Sequence, residues 1–276
     1  MPESVWPESV GPQSVGSQST GSREPLDRAA LFAQWDAITP AQLHAAGSMK
    51  WSLFPGTIGA WVAESDLGTA PEITAALHSA VDAGRLGYLP RPIAAQMGRA
   101  TAECMLDRFA WKVDATRVHA LPDVITGLVV AMEHFSRPGS AVIVPTPAYM
   151  PFLTVPARHG RTAVEVPMAV SDTRTVLDLE AIERELAAGA GLVALCNPLN
   201  PGGRVFTREE LLALSEVVER HGARVFADEV HAPIIFGGAQ HVPYASVSPA
   251  AARTALRSRV PPKPGTCPGS KPPNSF

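Results

Sequence analysis

Four short runs hold side chains whose types and spacing suit one kind of chemistry. "FADEVH" (residues 226–231) sets a carboxylate, Asp228, three residues before an imidazole, His231. "NPLNPGG" (197–203) holds two amide side chains in a turn stiffened by two Asn-Pro steps and two glycines. "PTPAYMPF" (145–152) projects Tyr149 from a proline-fixed loop, and "LPDVITGL" (121–128) reads as the start of a helix. Unpaired backbone N–H groups at such a start attract an anion such as phosphate. A carboxylate holds a cation, an amide donates to an oxygen, and an aromatic face stacks on a ring. Singly, each run has a plainer explanation as a turn, a helix cap or an ion pair. Together, at the ends of strands and helices of one sheet, they define one pocket.

The elements that position them follow from the hydrophobic pattern. "PEITAALHSAVDAG" (71–84) has apolar residues at helical spacing, proline in the first turn and a closing glycine. A second helix is expected over 93–109 and a third over 124–135. Strands at 140–145, 161–167, 191–197 and 223–229 then alternate with helices at 179–187 and 207–221. Thr207 with Glu210 forms a capping box that fixes the last helix start. Short apolar strands alternating with amphipathic helices specify an α/β fold, a mainly parallel sheet with helices on both faces. Ligands of such sheets sit outside the carboxyl ends of the strands, where the four runs fall.

Composition narrows the partner. The chain has 276 residues, 46% hydrophobic and 18% charged, enough to bury a sizeable core in one large domain or two unequal ones. A net charge of −3 with dispersed basic residues gives no footprint for nucleic acid or an anionic membrane. No apolar run approaches a bilayer span, and the N-terminus has no secretory pattern. The three cysteines, Cys104, Cys196 and Cys267, share no metal-ligand spacing, and their odd count fits a reducing cytoplasm. The partner expected is a small molecule. A helicase would need a nucleotide-binding G-x-x-x-x-G-K-[ST] loop, which is absent, and His231 lacks zinc-site spacing.

In order and spacing, "KWSLFPGTIGAWVAESDLGTAPEI", "GRLGYLPRP", "LPDVITGL", "PTPAYMPF", "LCNPLNPGGRVFTREEL" and "FADEVHAPIIF" resemble class I/II pyridoxal-phosphate aminotransferase-fold enzymes. More narrowly, they are similar to the cystathionine β-lyase (C-S β-lyase) branch of the MalY/PatB type, over residues 50–247. The resemblance implies the aspartate aminotransferase-like fold and pyridoxal 5′-phosphate as cofactor. Asp228 would pair with the pyridine nitrogen, and Asn200 would donate to the phenolic O3′, with His231 near that oxygen. Tyr149 would stack on the ring, and the N–H groups of Val124 and Ile125 would hold the phosphate. Tyr88 would reach the phosphate of a neighbouring subunit, implying a homodimer, and Trp61 would line the substrate pocket. "AESDL" departs from the branch's Asp-Met-Asp-Phe-like run, a departure that bears on substrate fit.

The family's Schiff-base lysine lies about thirty residues past the aspartate, in a run like "S-x-S-K-A-W-N-L-P-G-L-K". Here Lys263, the candidate for that lysine, stands between Pro262 and Pro264 in "VPPKPGTCPGSKPPNSF". Regrouping the codons of residues 261–271 by one base permits Ser, Lys, Ala, Trp, Asn, Leu, Pro, Gly, Leu and Lys in order. The tail is therefore expected to be the family's lysine segment read out of frame, with the shift between residues 251 and 257 and the C-terminal small domain missing.

The expected organisation is a disordered arm over 1–25, rich in Pro-Glu-Ser-Val repeats, an N-terminal segment over 26–70, an incomplete cofactor-binding large domain over 71–250 and a disordered tail over 251–276. The expected activity of the intact parent is β-elimination from a sulfur amino acid, releasing pyruvate, ammonia and a thiol, with this chain inactive. The alternatives are an aminotransferase and a catalytically dead cofactor-binding or regulatory protein.

Overall fold

The computed structural model describes residues 27–171 and 174–258, so the expected arm at 1–25 and Lys263 lie outside the described residues. The chain divides into two compact units between Leu67 and Gly68. In the first unit, α1 (Arg28–Asp36), α2 (Pro40–Ala46) and α3 (Met49–Ser52) precede an irregular segment. The Asp27 side chain caps α1, and Thr39 with Gln42 forms a capping box on α2. The unit is clasped by the departing "AESDL" run. Lys50 Nζ lies 2.6 Å from Asp66 Oδ2, the Lys50 backbone N–H donates to Glu64 Oε2 at 2.9 Å, and Trp51 Nε1 donates to Asp66 Oδ1 at 2.8 Å.

The second unit opens with α4 (Pro71–Asp82) and α5 (Arg91–Phe109), close to the helices read from the pattern. The third expected helix is α-helical only as α6 (Val124–Val130) and continues as a π-helical turn, Ala131–Phe135. Then come β1 (Val142–Thr146), α7 (Met150–Arg158), β2 (Ala163–Pro167), β3 (Ala169–Ser171), β4 (Arg174–Val176), α8 (Leu179–Ala187), β5 (Leu192–Cys196), α9 (Arg208–Arg220), β6 (Arg224–Asp228), α10 (Pro249–Thr254) and β7 (Ala255–Ser258). The Thr207–Glu210 capping box of α9 is present in both directions.

Two expectations are corrected. The run after β1 is helical from Met150, because Tyr149 takes an extended conformation at the N-cap and Pro151 occupies the first turn, where its missing N–H costs nothing. The tail does not begin at residue 251. Ser248 caps α10 through the Ala251 N–H, and β7 pairs in parallel with β6 from Val225↔Ala255 to Asp228↔Ser258. Chain order therefore persists through Ser258, because this segment completes hydrogen bonds that β6 would otherwise leave unmade.

β1, β2, β5, β6 and β7 form one parallel sheet in the order β2-β1-β5-β6-β7, while β3 and β4 make a separate antiparallel pair. The chain leaves β1 toward β2 but leaves β5 toward β6, so the winding reverses between β1 and β5. Right-handed crossovers then place α7 on one face and α8, α9 and α10 on the other. Consistent with this, α9 packs against α8 and α10, and α6 against α7. The strands carry the core: Val142, Ile143, Val144, Leu192, Val193 and Val225 are wholly buried. A sheet covered on both faces requires such continuous apolar strands. No described helix is long and apolar enough to cross a membrane.

Candidate cofactor site

Asp228 is the last residue of β6, 4% exposed, at the carboxyl edge of the sheet. Its Oδ1 accepts the Val230 N–H at 3.0 Å, and its Oδ2 lies 3.9 Å from Cys196 Sγ on the neighbouring strand, where the two residues are paired in register. Among the described residues no cation stands opposite it. Burial disfavours the charged form and pushes the carboxyl up to about 6, with the bonds to Val230 and Cys196 opposing the shift only in part. A buried carboxyl in this state gains from a cationic hydrogen-bond donor, and a pyridinium N–H is one.

The neighbouring strand end carries the amides. The Asn197 backbone N–H donates to Asp228 O at 2.9 Å, which ties the start of the "NPLNPGG" turn to the end of β6. Inside the turn, Leu199 N–H donates to Arg204 O and Gly203 N–H to Leu199 O, both at 2.7 Å. Gly203 takes φ +63°, which glycine adopts without a Cβ penalty, and a Cβ on Gly202 would lie 2.6 Å from Leu199 Cδ2. Asn200 is half-buried in this closed turn. His231 follows Asp228 in a turn and is also half-buried.

The opposite wall comes from the face of β6 that carries Phe226 and Asp228, since alternate strand residues share a face. Phe152 of α7 packs on Phe226 with ring centroids 6.1 Å apart, and Tyr149 packs on Phe152 at 5.8 Å. Tyr149 is 44% exposed, so its ring remains accessible at the carboxyl edge. α6 packs against β6, β7 and α7. Because a short link joins its C-terminal end to the start of β1, its own start lies at the carboxyl edge as well. There the Asp123 carboxylate takes the Thr126 N–H at 2.6 Å, and the N–H groups of Val124 and Ile125 have no acceptor among the described residues.

Asp228, Asn200, His231, Tyr149, Val124 and Ile125 thus belong to one edge of one sheet. Tyr88 is not among them: it is fully exposed in the link between α4 and α5. Trp61 lies in the first unit, where its Nε1 donates to Lys50 O at 3.1 Å and its ring meets Phe54 at 5.4 Å.

Supporting residues were missed by the motif reading. Cys196, to which no role was given, lies beside Asp228, and burial followed by that carboxylate pushes its thiol up to about 12. Glu229 is fully buried, accepts the Tyr244 N–H at 2.7 Å and lies 3.5 Å from His241 Nε2, holding the segment beyond the strand end. A buried acid next to a site acid was the available signal, because Glu is almost never fully buried without a partner.

Residues 60–258 match the family described as aminotransferase class I and II. The chain belongs to that family. It is 40% identical over 210 residues to cystathionine beta-lyase of Corynebacterium glutamicum, covering 76% of this chain and 55% of the relative. It is 35% identical over 208 residues to cystathionine beta-lyase PatB of Bacillus subtilis, covering 73% and 53%. A crystal structure from Corynebacterium diphtheriae, described as a PLP-dependent beta-cystathionase, superposes with a TM-score of 0.72 at 36% identity, covering 80% of this chain and 57% of that one. The fold is therefore the PLP-dependent aminotransferase type, and the chain spans about half the length of the curated relatives it matches.

Proposed function

We propose that this chain carries the ring- and phosphate-binding half of a pyridoxal 5′-phosphate site for carbon–sulfur β-elimination. The observation that carries the reading is Asp228, a buried carboxyl held at a strand end with no cation opposite it among the described residues. When bound, the cofactor supplies an electron-accepting ring that stabilises negative charge at the substrate Cα. Asp228 keeps the ring nitrogen protonated and so maintains that capacity. Asn200 donates to the phenolic oxygen with His231 nearby, Tyr149 covers one ring face, and the N–H groups of Val124 and Ile125 hold the phosphate. In the complete reaction cystathionine loses its Cα proton and its Cβ–S bond, and water releases pyruvate and ammonia beside the thiol.

A second reading, cofactor binding without turnover, is favoured by the lysines. The chain has four: Lys50, Lys112, Lys263 and Lys271. Lys50 is ion-paired with Asp66, and Lys112 is exposed. Lys263 stands between two prolines in the sequence, outside the described residues. On this reading the chain by itself binds the cofactor and does not release pyruvate.

The homodimer belongs to the same proposal. Leu77 (61% exposed), Leu86 (76%) and Tyr88 (102%) lie along α4 and the following link, an apolar stretch that a second copy would cover. The setting proposed is cytoplasmic, and the substrate a sulfur amino acid.

The test is incubation with cystathionine, with and without a keto-acid acceptor. Pyruvate and thiol without an acceptor establish the lyase in the chain itself, and a new amino acid that requires the acceptor establishes a transferase. Saturable cofactor binding with neither product supports the second reading.

A further inference from the structure

We infer that Arg204 is a positioning residue for Asn200; the inference rests on the cofactor reading above. Asn200 has to meet one oxygen of a bound ring, yet it stands in a turn outside any helix or strand, where backbone order must come from fixed contacts. Arg204 supplies the one that closes the turn and is itself anchored by its side chain. Its carbonyl accepts the Leu199 N–H at 2.7 Å and so closes the turn around Asn200. Its Nη2 lies 2.5 and 2.7 Å from the two carboxylate oxygens of Glu210, and its Nη1 donates to the Thr175 carbonyl of β4. Its guanidinium carbon sits 4.9 Å over the ring of Phe206, which is 1% exposed.

The partners of Arg204 are themselves fixed. Glu210 Oε2 also accepts the Thr207 N–H at 2.8 Å, so one carboxylate both caps α9 and holds the guanidinium. Phe206 N–H donates to Asn197 Oδ1 at 3.0 Å, and Asn197 N–H donates to Asp228 O. A chain of contacts therefore runs from the backbone carbonyl of Asp228 through Asn197 and Phe206 to Arg204, whose ring contact with Phe206 and carbonyl bond to Leu199 N–H end it at the residue next to Asn200. The Arg204 side chain is 13% exposed, so its ion pair is sheltered from solvent screening. Lysine keeps the charge but cannot reproduce the planar fork and the stacked contact.

The probe is pyridoxine 5′-phosphate, which has the ring nitrogen, phenol and phosphate of the cofactor but no aldehyde, and so cannot bond covalently to a lysine. Its ultraviolet spectrum reports ionisation of the phenol, which an amide donor favours. In the full-length chain, Asn200→Ala is expected to raise the pH of that ionisation by about one unit, roughly tenfold in the equilibrium. Arg204→Lys and Glu210→Gln are expected to raise it by about half a unit, and Arg204→Lys to add nothing in the Asn200→Ala background. The amide oxygen introduced by Glu210→Gln can still accept the Thr207 N–H, which preserves the helix cap. Ile182→Ala, a destabilising variant of a wholly buried α8 residue outside the site, controls for general loosening and is expected to leave the ionisation in place. If Asn200→Ala moves the ionisation and neither Arg204→Lys nor Glu210→Gln does, the positioning role is wrong and the cofactor site stands. If the unaltered chain shows no saturable binding, the cofactor reading fails and takes this inference with it.

Discussion

Asp228 and Cys196 are paired in register across β6 and β5, with Oδ2 3.9 Å from Sγ and both residues at least nineteen-twentieths buried. Burial opposes ionisation of both groups, and the Asp228 carboxylate opposes that of the Cys196 thiol, while the thiol bond offsets only part of the burial cost at Asp228. The consequence is a strand end that carries more unfavourable charge energy than folding alone requires.

That cost is measurable as stability. The Asp228 carboxyl sits at about 6 in the folded chain against an ordinary value of 3.8. Between these values the native state holds more protons than the unfolded one, so stability falls as pH rises from about 4 to about 6. Asp228→Asn removes the penalty and is expected to stabilise the ligand-free chain at pH 7 by roughly 2–3 kcal/mol. Thermal unfolding at pH 7 and pH 4 checks this: the variant should gain at pH 7 and lose most of that advantage at pH 4. A variant less stable than the parent at both values would remove the argument.

Cofactor affinity should carry the same titration with the opposite sense. A cationic ring nitrogen selects the carboxylate, so binding weakens as pH falls through about 6, by up to about tenfold per unit. Asp228→Asn should lose this inflection. Titrations at several pH values separate Asp228 from ionisations of the ligand, which remain in both proteins.

Cys196 should be chemically silent. A thiol pushed up to about 12 has almost no thiolate at pH 8, and its 5% exposure limits access. Alkylation with iodoacetamide followed by peptide mapping should label Cys196 only after denaturation. Rapid native labelling would show that the strand end opens.

The aromatic wall should matter to the fold before it matters to the site. Phe226 is 1% exposed and contacts Phe152, which carries Tyr149. Phe226→Ala is expected to cost about 3–5 kcal/mol, read by denaturant unfolding. Tyr149→Ala, at a 44% exposed position, should cost under about 1 kcal/mol while weakening cofactor binding.

The sheet was legible because its strands are continuous apolar runs bounded by turn residues, and α9 because Thr207 and Glu210 mark its start. The placement of Asp228 and Asn200 followed from strand ends alone. β3 and β4 are three residues each, too short for an alternation to register. α7 was hidden by Pro147, Pro151 and Pro156, of which Pro151 serves as a first-turn residue and Pro156 lies inside the helix. Arg204 and Glu229 could not be assigned in advance, because their work depends on contacts with Thr175 and His241, far off in the chain. β7 was missed because its order comes from pairing with β6, a tertiary cause that overrides a weak local pattern.

The central claim is that the carboxylate at the end of β6 holds the ring of pyridoxal 5′-phosphate. The most direct measurement is equilibrium titration of the full-length chain with the cofactor, followed by cofactor absorbance, beside Asp228→Ala with its fold verified by circular dichroism. The expected result is saturable binding at one site per chain and a loss of roughly 100-fold or more in the variant. Absence of saturable binding, or equal affinity in a folded Asp228→Ala chain, would contradict the claim.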